Sequence, residues 1–123
     1  MRLFLAATCW ASAAMAQVPL VTEFPPEAVS ISGDAIRARL GNKVFNLQYA
    51  SGPPFRVEYK ASGYAFVNVG TGARDTGKWN AEDNRLCVQW ERFPSGCSEV
   101  RAGKDALYVK RLSNGEIIAL PDN

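Results

Sequence analysis

Short alternating runs, separated by turns too brief to hold a helix, constrain this chain more than any other feature. Phe55-Arg56-Val57-Glu58-Tyr59-Lys60 sets three apolar side chains on one face and three charged ones on the other, the pattern of a half-buried strand. Before it, Phe45, Leu47 and Tyr49 alternate with Val44, Asn46 and Gln48, and Ala50-Ser51-Gly52-Pro53-Pro54 supplies the turn between. Ala61-Ser62-Gly63 leads into a third run, residues 64–70, and the glycine-rich residues 71–77 form a loose connection to a fourth around Lys78 and Trp79. Ala81-Glu82-Asp83-Asn84 turns the chain into residues 85–91, where Leu86, Val88 and Trp90 share one face and Cys87, Gln89 and Glu91 the other. Residues 97–101, 106–112 and 116–120 complete the set, the last two joined across Asn114-Gly115, a strong hairpin signal. Consecutive hairpins leave no room for crossover helices. The expected class is all-β, an antiparallel meander of about eight strands that closes as a small barrel or packs as a sandwich, the barrel preferred because it removes the exposed edges.

One helix is expected near the start. Ser32 reads as its N-cap, Asp34 lies in the first turn, Arg37 and Arg39 in the last, and Gly41 follows at C′. Ile36 and Leu40, four apart, form its buried stripe.

The chain opens Met1-Arg2, runs apolar over residues 3–14, and reaches Ala14-Met15-Ala16 before Gln17, which reads as a secretory signal peptide with an A-x-A cleavage site. The apolar run is shorter than the roughly 18 residues a membrane-spanning helix needs, so no stable membrane span is expected. Thr8-Cys9 also loosely matches a lipoprotein box, but threonine stands where Ala or Gly belongs, so Cys9 is expected to leave with the leader. The organisation read from this is a leader over 1–16, an extended arm over 17–30 punctuated by Pro19, Pro25 and Pro26, and one β domain over 31–123. Leu20, Val21 and Phe24 of the arm are candidates to pack on the body.

Cleavage would leave Cys87 and Cys97 as the only cysteines of an exported chain, which implies a disulfide. A hairpin looped at residues 93–96 would set Cys97 opposite Arg92 instead, so the bridge requires a bulge, a longer loop or a strand that ends before Trp90. The C-x9-C spacing is not that of a zinc site, and the chain has no histidine, so neither metal nor cofactor is implied. Net charge is +2 and becomes +1 without Arg2. That balance carries no clustered basic excess of the kind nucleic acid requires.

Candidate chemistry is sparse. Asp75-Thr76-Gly77 matches the aspartic protease fingerprint, but Gly72-Ala73-Arg74 precedes it where apolar residues belong and Lys78 follows where Ala or Ser belongs. It is equally good turn chemistry. Glu82 with Asp83, and Asp83 with Glu91, are carboxylate pairs of the sort found in many turns. No Ser-x-x-Lys occurs after residue 16, and the usual nucleophile and base constellations are absent, so no catalytic residue is assigned. Gly77-Lys78-Trp79 matches the G-x-W of lipocalin-like barrels, whose tryptophan plugs the closed end, although here it lies mid-chain and not on the first strand. The aromatic set Phe45, Tyr49, Tyr59, Tyr64, Phe66 and Tyr108, with Phe55 and Trp79, would line a ligand pocket if the barrel were wide enough. Strand aromatics more often fill a core. Trp90, Arg92 and Phe93 form a possible partner surface, since aromatic residues and arginine anchor interfaces. Arg37, Arg39, Arg56, Lys60, Lys110 and Arg111 read as a solvated face.

Taken together, the leader, the residue 32–41 helix running into Lys43-Val44-Phe45, the D-T-G-x-W stretch, Leu86-Cys87-Val88-Gln89-Trp90, and Cys97 before a terminal Asn114-Gly115 hairpin resemble a family of small exported bacterial proteins of unknown function. The resemblance implies an envelope location and transfers no catalytic residue. The expectation is a periplasmic or secreted, non-enzymatic β-barrel that binds a small apolar ligand or an envelope protein. An inhibitor or accessory subunit acting through the Cys87–Cys97 loop is the alternative, and a small hydrolase a third.

Overall fold

A computed structural model of the chain describes residues 19–122. The leader, its cleavage site, Cys9, and the first two residues of the arm lie outside the described residues. Helix α1 (Gly33–Leu40) is followed by eight strands: β1 (Lys43–Leu47), β2 (Phe55–Tyr59), β3 (Tyr64–Val69), β4 (Arg74–Glu82), β5 (Arg85–Trp90), β6 (Gly96–Ala102), β7 (Ala106–Lys110) and β8 (Ile117–Pro121). Each strand pairs antiparallel with the next, in sequence order. β6 pairs with β5 through its first half and with β7 through its second. β1 and β8 come together with no ladder between them among the described residues. Across that seam the Ala50 N–H donates to the Glu116 carboxylate at 2.7 Å. The meander is a nearly closed barrel, and the sandwich alternative is not adopted.

Capping explains where α1 begins. The Ser32 hydroxyl accepts from the Ala35 N–H at 3.1 Å, and the segment before the helix is tied to the β4–β5 turn. There Ile31 N–H donates to Asn84 Oδ1 and Gly33 N–H to Asp83 Oδ1. Gly33 lets the helix start directly on β4, since a Cβ there would stand 2.8 Å from the Ala81 carbonyl oxygen. At the other end, Gly41 has φ −58°, and the left-handed residue is Asn42 at φ 61°. Gly41 is thus not the left-handed C′ residue that the sequence pattern predicts; a Cβ there would stand 3.0 Å from the Arg37 carbonyl oxygen, to which the Gly41 N–H donates.

Burial along the barrel axis is uneven, and this positions the site. At the α1 end the inward side chains are sealed: Ile36, Ala65 and Val100 are 0 % exposed and Leu40 and Leu107 1 %. Phe45, Tyr59 and Trp79 form an edge-to-face column there, with ring centroids 6.2 and 5.5 Å apart, and the Trp79 indole N–H donates to the Lys60 carbonyl. At the opposite end the inward residues Leu47, Phe55, Val69, Val88, Trp90, Val109 and Ile118 are only half-buried. One end of the barrel is plugged by a helix and aromatic rings, and the other is open.

Two expectations about the middle of the chain are corrected. The loose connection predicted over 71–77 ends at Arg74, where β4 begins, because Asp75 and Gly77 point inward and are held there. Asp75 is therefore a strand residue and not a turn residue. The β5–β6 hairpin has the longer loop, with Val88 opposite Gly96, which places Cys87 directly opposite Cys97, and the two are disulfide-bonded. Within the arm, expected to be extended, the chain turns at Pro26-Glu27, where the Ala28 N–H donates to the Pro25 carbonyl. Val29 bridges Ala102, Val21 accepts from the Ile117 N–H, and the Phe24 ring lies 4.6 Å from the Arg101 guanidinium, while Leu20 and Val21 stay largely exposed.

Candidate functional site

The half-buried residues of the open end enclose a cavity of about 630 Å³, within the roughly 300–1,000 Å³ range of small-molecule pockets. Val57, Tyr59, Val67, Leu86 and Leu120 line its deeper part, Leu47, Phe55, Val69, Val88 and Ile118 its walls, and loop residues from 51–53, 93–95 and 111–113 its mouth. The walls are apolar because the inward face of each strand continues past the sealed layer with the same period of two. Only α1 is missing at this end, so nothing fills the space.

Of the predicted pocket aromatics, the structure brings three to the cavity: Tyr49 at the mouth, Phe55 in the wall and Tyr59 in the deeper part. Phe45 and Trp79 belong to the sealed layer. Tyr64, Phe66 and Tyr108 occupy the alternate positions of β3 and β7 and face outward, Tyr64 beside a smaller depression of about 340 Å³ with Lys78, Gln89 and Glu91. The predicted partner surface divides in the same way. Trp90 and Phe93 pair edge-to-face at 6.5 Å and line the cavity, whereas Arg92 is exposed.

The rim between β5 and β6 is fixed in place by Asp75. Its carboxylate accepts from the backbone N–H groups of Thr76, Arg92 and Phe93, each at 2.8 Å. Ser95 Oγ accepts from the Trp90 N–H at 2.9 Å. Burial pushes the Asp75 carboxyl up, but the N–H donors of Phe93, Arg92 and Thr76, together with the Arg92 charge, outweigh it and hold the group below its ordinary range. A carboxyl lowered in the folded state contributes stability that is present above the ordinary carboxylate range and is lost as pH falls through the lowered value. Thermal melts from pH 7 downward should therefore show wild type losing its advantage over Asp75→Asn in acid. A constant gap between the two across that range would mean that the carboxylate charge does not hold the rim.

Gly77 completes this wall. A Cβ there would stand 2.5 Å from the Gln89 carbonyl oxygen and 2.9 Å from the Trp90 ring, so the glycine of the Asp-Thr-Gly motif exists to let Trp90 lie across β4. Asp75 anchors a loop, Gly77 makes room for an indole, and Asp83 binds the start of α1.

Arg111 is the residue the sequence reading misplaced. Read as part of a solvated face, it is instead half-buried and lines the cavity mouth, its guanidinium 4.1 Å from the Tyr49 ring centroid, while Tyr49 stacks on Phe55 at 5.0 Å. The signal was present: Leu107, Val109 and Arg111 continue one inward face of β7 with a period of two. Burial pushes the Tyr49 phenol up, Arg111 opposes it and Glu116 adds to it; burial, then Tyr49, push Tyr59 up as well. Both phenols stay neutral at physiological pH and retain a proton to donate. Glu116 itself is 2 % exposed and does not line the cavity, and its Oε1 accepts no hydrogen bond from the described residues.

Among the described residues no group of three or more His, Cys, Asp or Glu side chains is placed to hold a metal ion, and no helix is long and apolar enough to cross a membrane. No protein family, no curated protein and no solved structure matches the chain.

Proposed function

We propose that the protein is an exported, non-enzymatic binding barrel that takes a small apolar ligand into the cavity at its open end. The observation that carries this reading is the contrast between the two ends of one barrel. The same inward strand faces are sealed at one end and surround an apolar space of about 630 Å³ at the other. Unfilled apolar volume inside a fold forfeits packing stability, which a ligand restores when it binds. A non-enzymatic role is supported by what the polar groups already do. The chain has no histidine, Cys87 and Cys97 are bonded to each other, and the Asp75 carboxylate is committed to three backbone donors. An exported location is supported by the leader pattern of residues 1–16, and the disulfide is compatible with an oxidising compartment.

The accessory-subunit alternative is less favoured because Trp90 and Phe93, its aromatic anchors, are turned to the cavity wall. The test is titration with N-phenyl-1-naphthylamine, a neutral apolar fluorophore. Saturable enhancement at one probe per chain, with a change in Trp90 emission, is expected. Val109→Phe, which fills the wall, should weaken it without lowering the melting temperature. Absence of saturable binding by the wild-type protein would overturn the reading.

A further inference from the structure

The cavity carries more chemical information than its apolar walls. Among the described residues Arg111 is the single charged side chain that lines it. Five of the other cations pair with carboxylates: Arg37 with Asp34, Arg39 with Asp122, Lys60 with Glu58, Arg85 with Glu82 and Arg101 with Glu99. Arg111 forms no ion pair with any carboxylate of the described residues, although it is half-buried. Arg56, Arg74 and Arg92, which also form none, are exposed to water. Glu116, the buried carboxylate whose charge also reaches Tyr49, is engaged with the Ala50 N–H and stays outside the cavity lining.

A half-buried guanidinium outside any ion pair among the described residues keeps donors to offer, and its planar fork matches carboxylate and phosphate oxygens. Tyr49 holds that fork at the mouth by stacking, with the Tyr49 phenol and the hydroxyls of Ser51 and Ser113 on the same rim. Below them the walls are apolar. At roughly 30 Å³ per methylene-sized group, the share one water occupies in the liquid, about 630 Å³ holds on the order of 20 groups. That is room for an acyl chain.

Resting on the reading of the cavity as a ligand site, we infer that Arg111 anchors the head of the ligand and that the ligand is an amphiphile with an apolar tail and an anionic oxygen group, a carboxylate or a phosphate. The tail occupies the cavity between Val57, Val88 and Ile118, and the head meets Arg111 where the barrel opens to solvent.

The experiment displaces N-phenyl-1-naphthylamine from the full-length exported protein with four twelve-carbon probes below their micelle concentrations: dodecanoate, dodecyl phosphate, 1-dodecanol and dodecyltrimethylammonium. The anions should compete about tenfold or more better than the alcohol, the size of one charge-assisted hydrogen-bonded contact, and the cation worst. Which anion wins distinguishes carboxylate from phosphate. Arg111→Gln should erase the preference of the anions over the alcohol, and Arg111→Lys should restore part of it. Equal competition by anion, alcohol and cation, with the fluorophore still bound, would overturn the head-group assignment and leave the cavity reading standing. Preserved anion preference in folded Arg111→Gln would overturn it too. Failure of the fluorophore to bind would remove both.

Discussion

Ile36→Ala is expected to lower the melting temperature by roughly 10–25 °C, the equivalent of about 2–5 kcal/mol for a deleted core isoleucine in a domain of this size. Ile36 is 0 % exposed and is the innermost side chain of the helix that plugs the barrel. The loss should fall in the upper part of that range, because the helix has no freedom to settle into the space left behind. Its first residue already touches β4 backbone, with Gly33 placed where a Cβ would be 2.8 Å from the Ala81 carbonyl oxygen, and Arg37 donates to that same carbonyl. Circular dichroism melts measure the effect. A variant that melts within a few degrees of wild type would show that α1 lies against the barrel without sealing it. Because Ile36 sits at the end away from the cavity, apolar probe binding at low temperature should survive the substitution.

Replacing Cys87 and Cys97 together by serine should cost about 2–3 kcal/mol, the chain-entropy value for a closed loop of this length. The sequence separation is 10 residues, and the bridge joins directly opposed positions on the outward face of β5 and β6, away from the core. The fold should therefore persist with a lower midpoint, since Leu86, Val88 and Val100 keep their inward packing. Denaturant midpoints with the slope unchanged would confirm a pure stability loss. Non-reducing mass spectrometry should first show the wild-type protein two hydrogens lighter than its thiol form, and free thiols at both positions would remove the premise.

Strand and helix placement was legible because it depends on local periodicity and caps. The β2 alternation, the Ser32 cap and the Asn114-Gly115 turn, with Gly115 at φ 73°, all act within a few residues. The start of β4 was not, because the donors that hold Asp75 in a strand come from Arg92 and Phe93, 17 and 18 residues further on. Locally, Gly72 to Gly77 has the composition of a turn, and only that distant loop overrides it. The site was half legible for a related reason. Alternation separates inward from outward aromatics once the register is known, and Tyr64, Phe66 and Tyr108 fall outward by one step. Whether inward residues meet across the barrel or leave a space depends on which end the helix fills, and no pattern within a strand records that. Arg111 escaped notice because charge suggested solvent more strongly than the period of β7 suggested the interior.

The strictly sequential order of the strands bears on how such a chain reaches its folded state. Every ladder joins neighbours in sequence, so each hairpin closes a short loop at small entropic cost and the sheet can grow one strand at a time. Other ties reach far along the chain, among them Ile31 to Asn84, which seats the helix, Arg39 to Asp122, Val29 to Ala102, and Ala50 to Glu116, 66 residues apart, which draws the first strand against the last. Most of the sheet can thus form before either end is fixed. What turns the coiled sheet into a nearly closed barrel is that one seam.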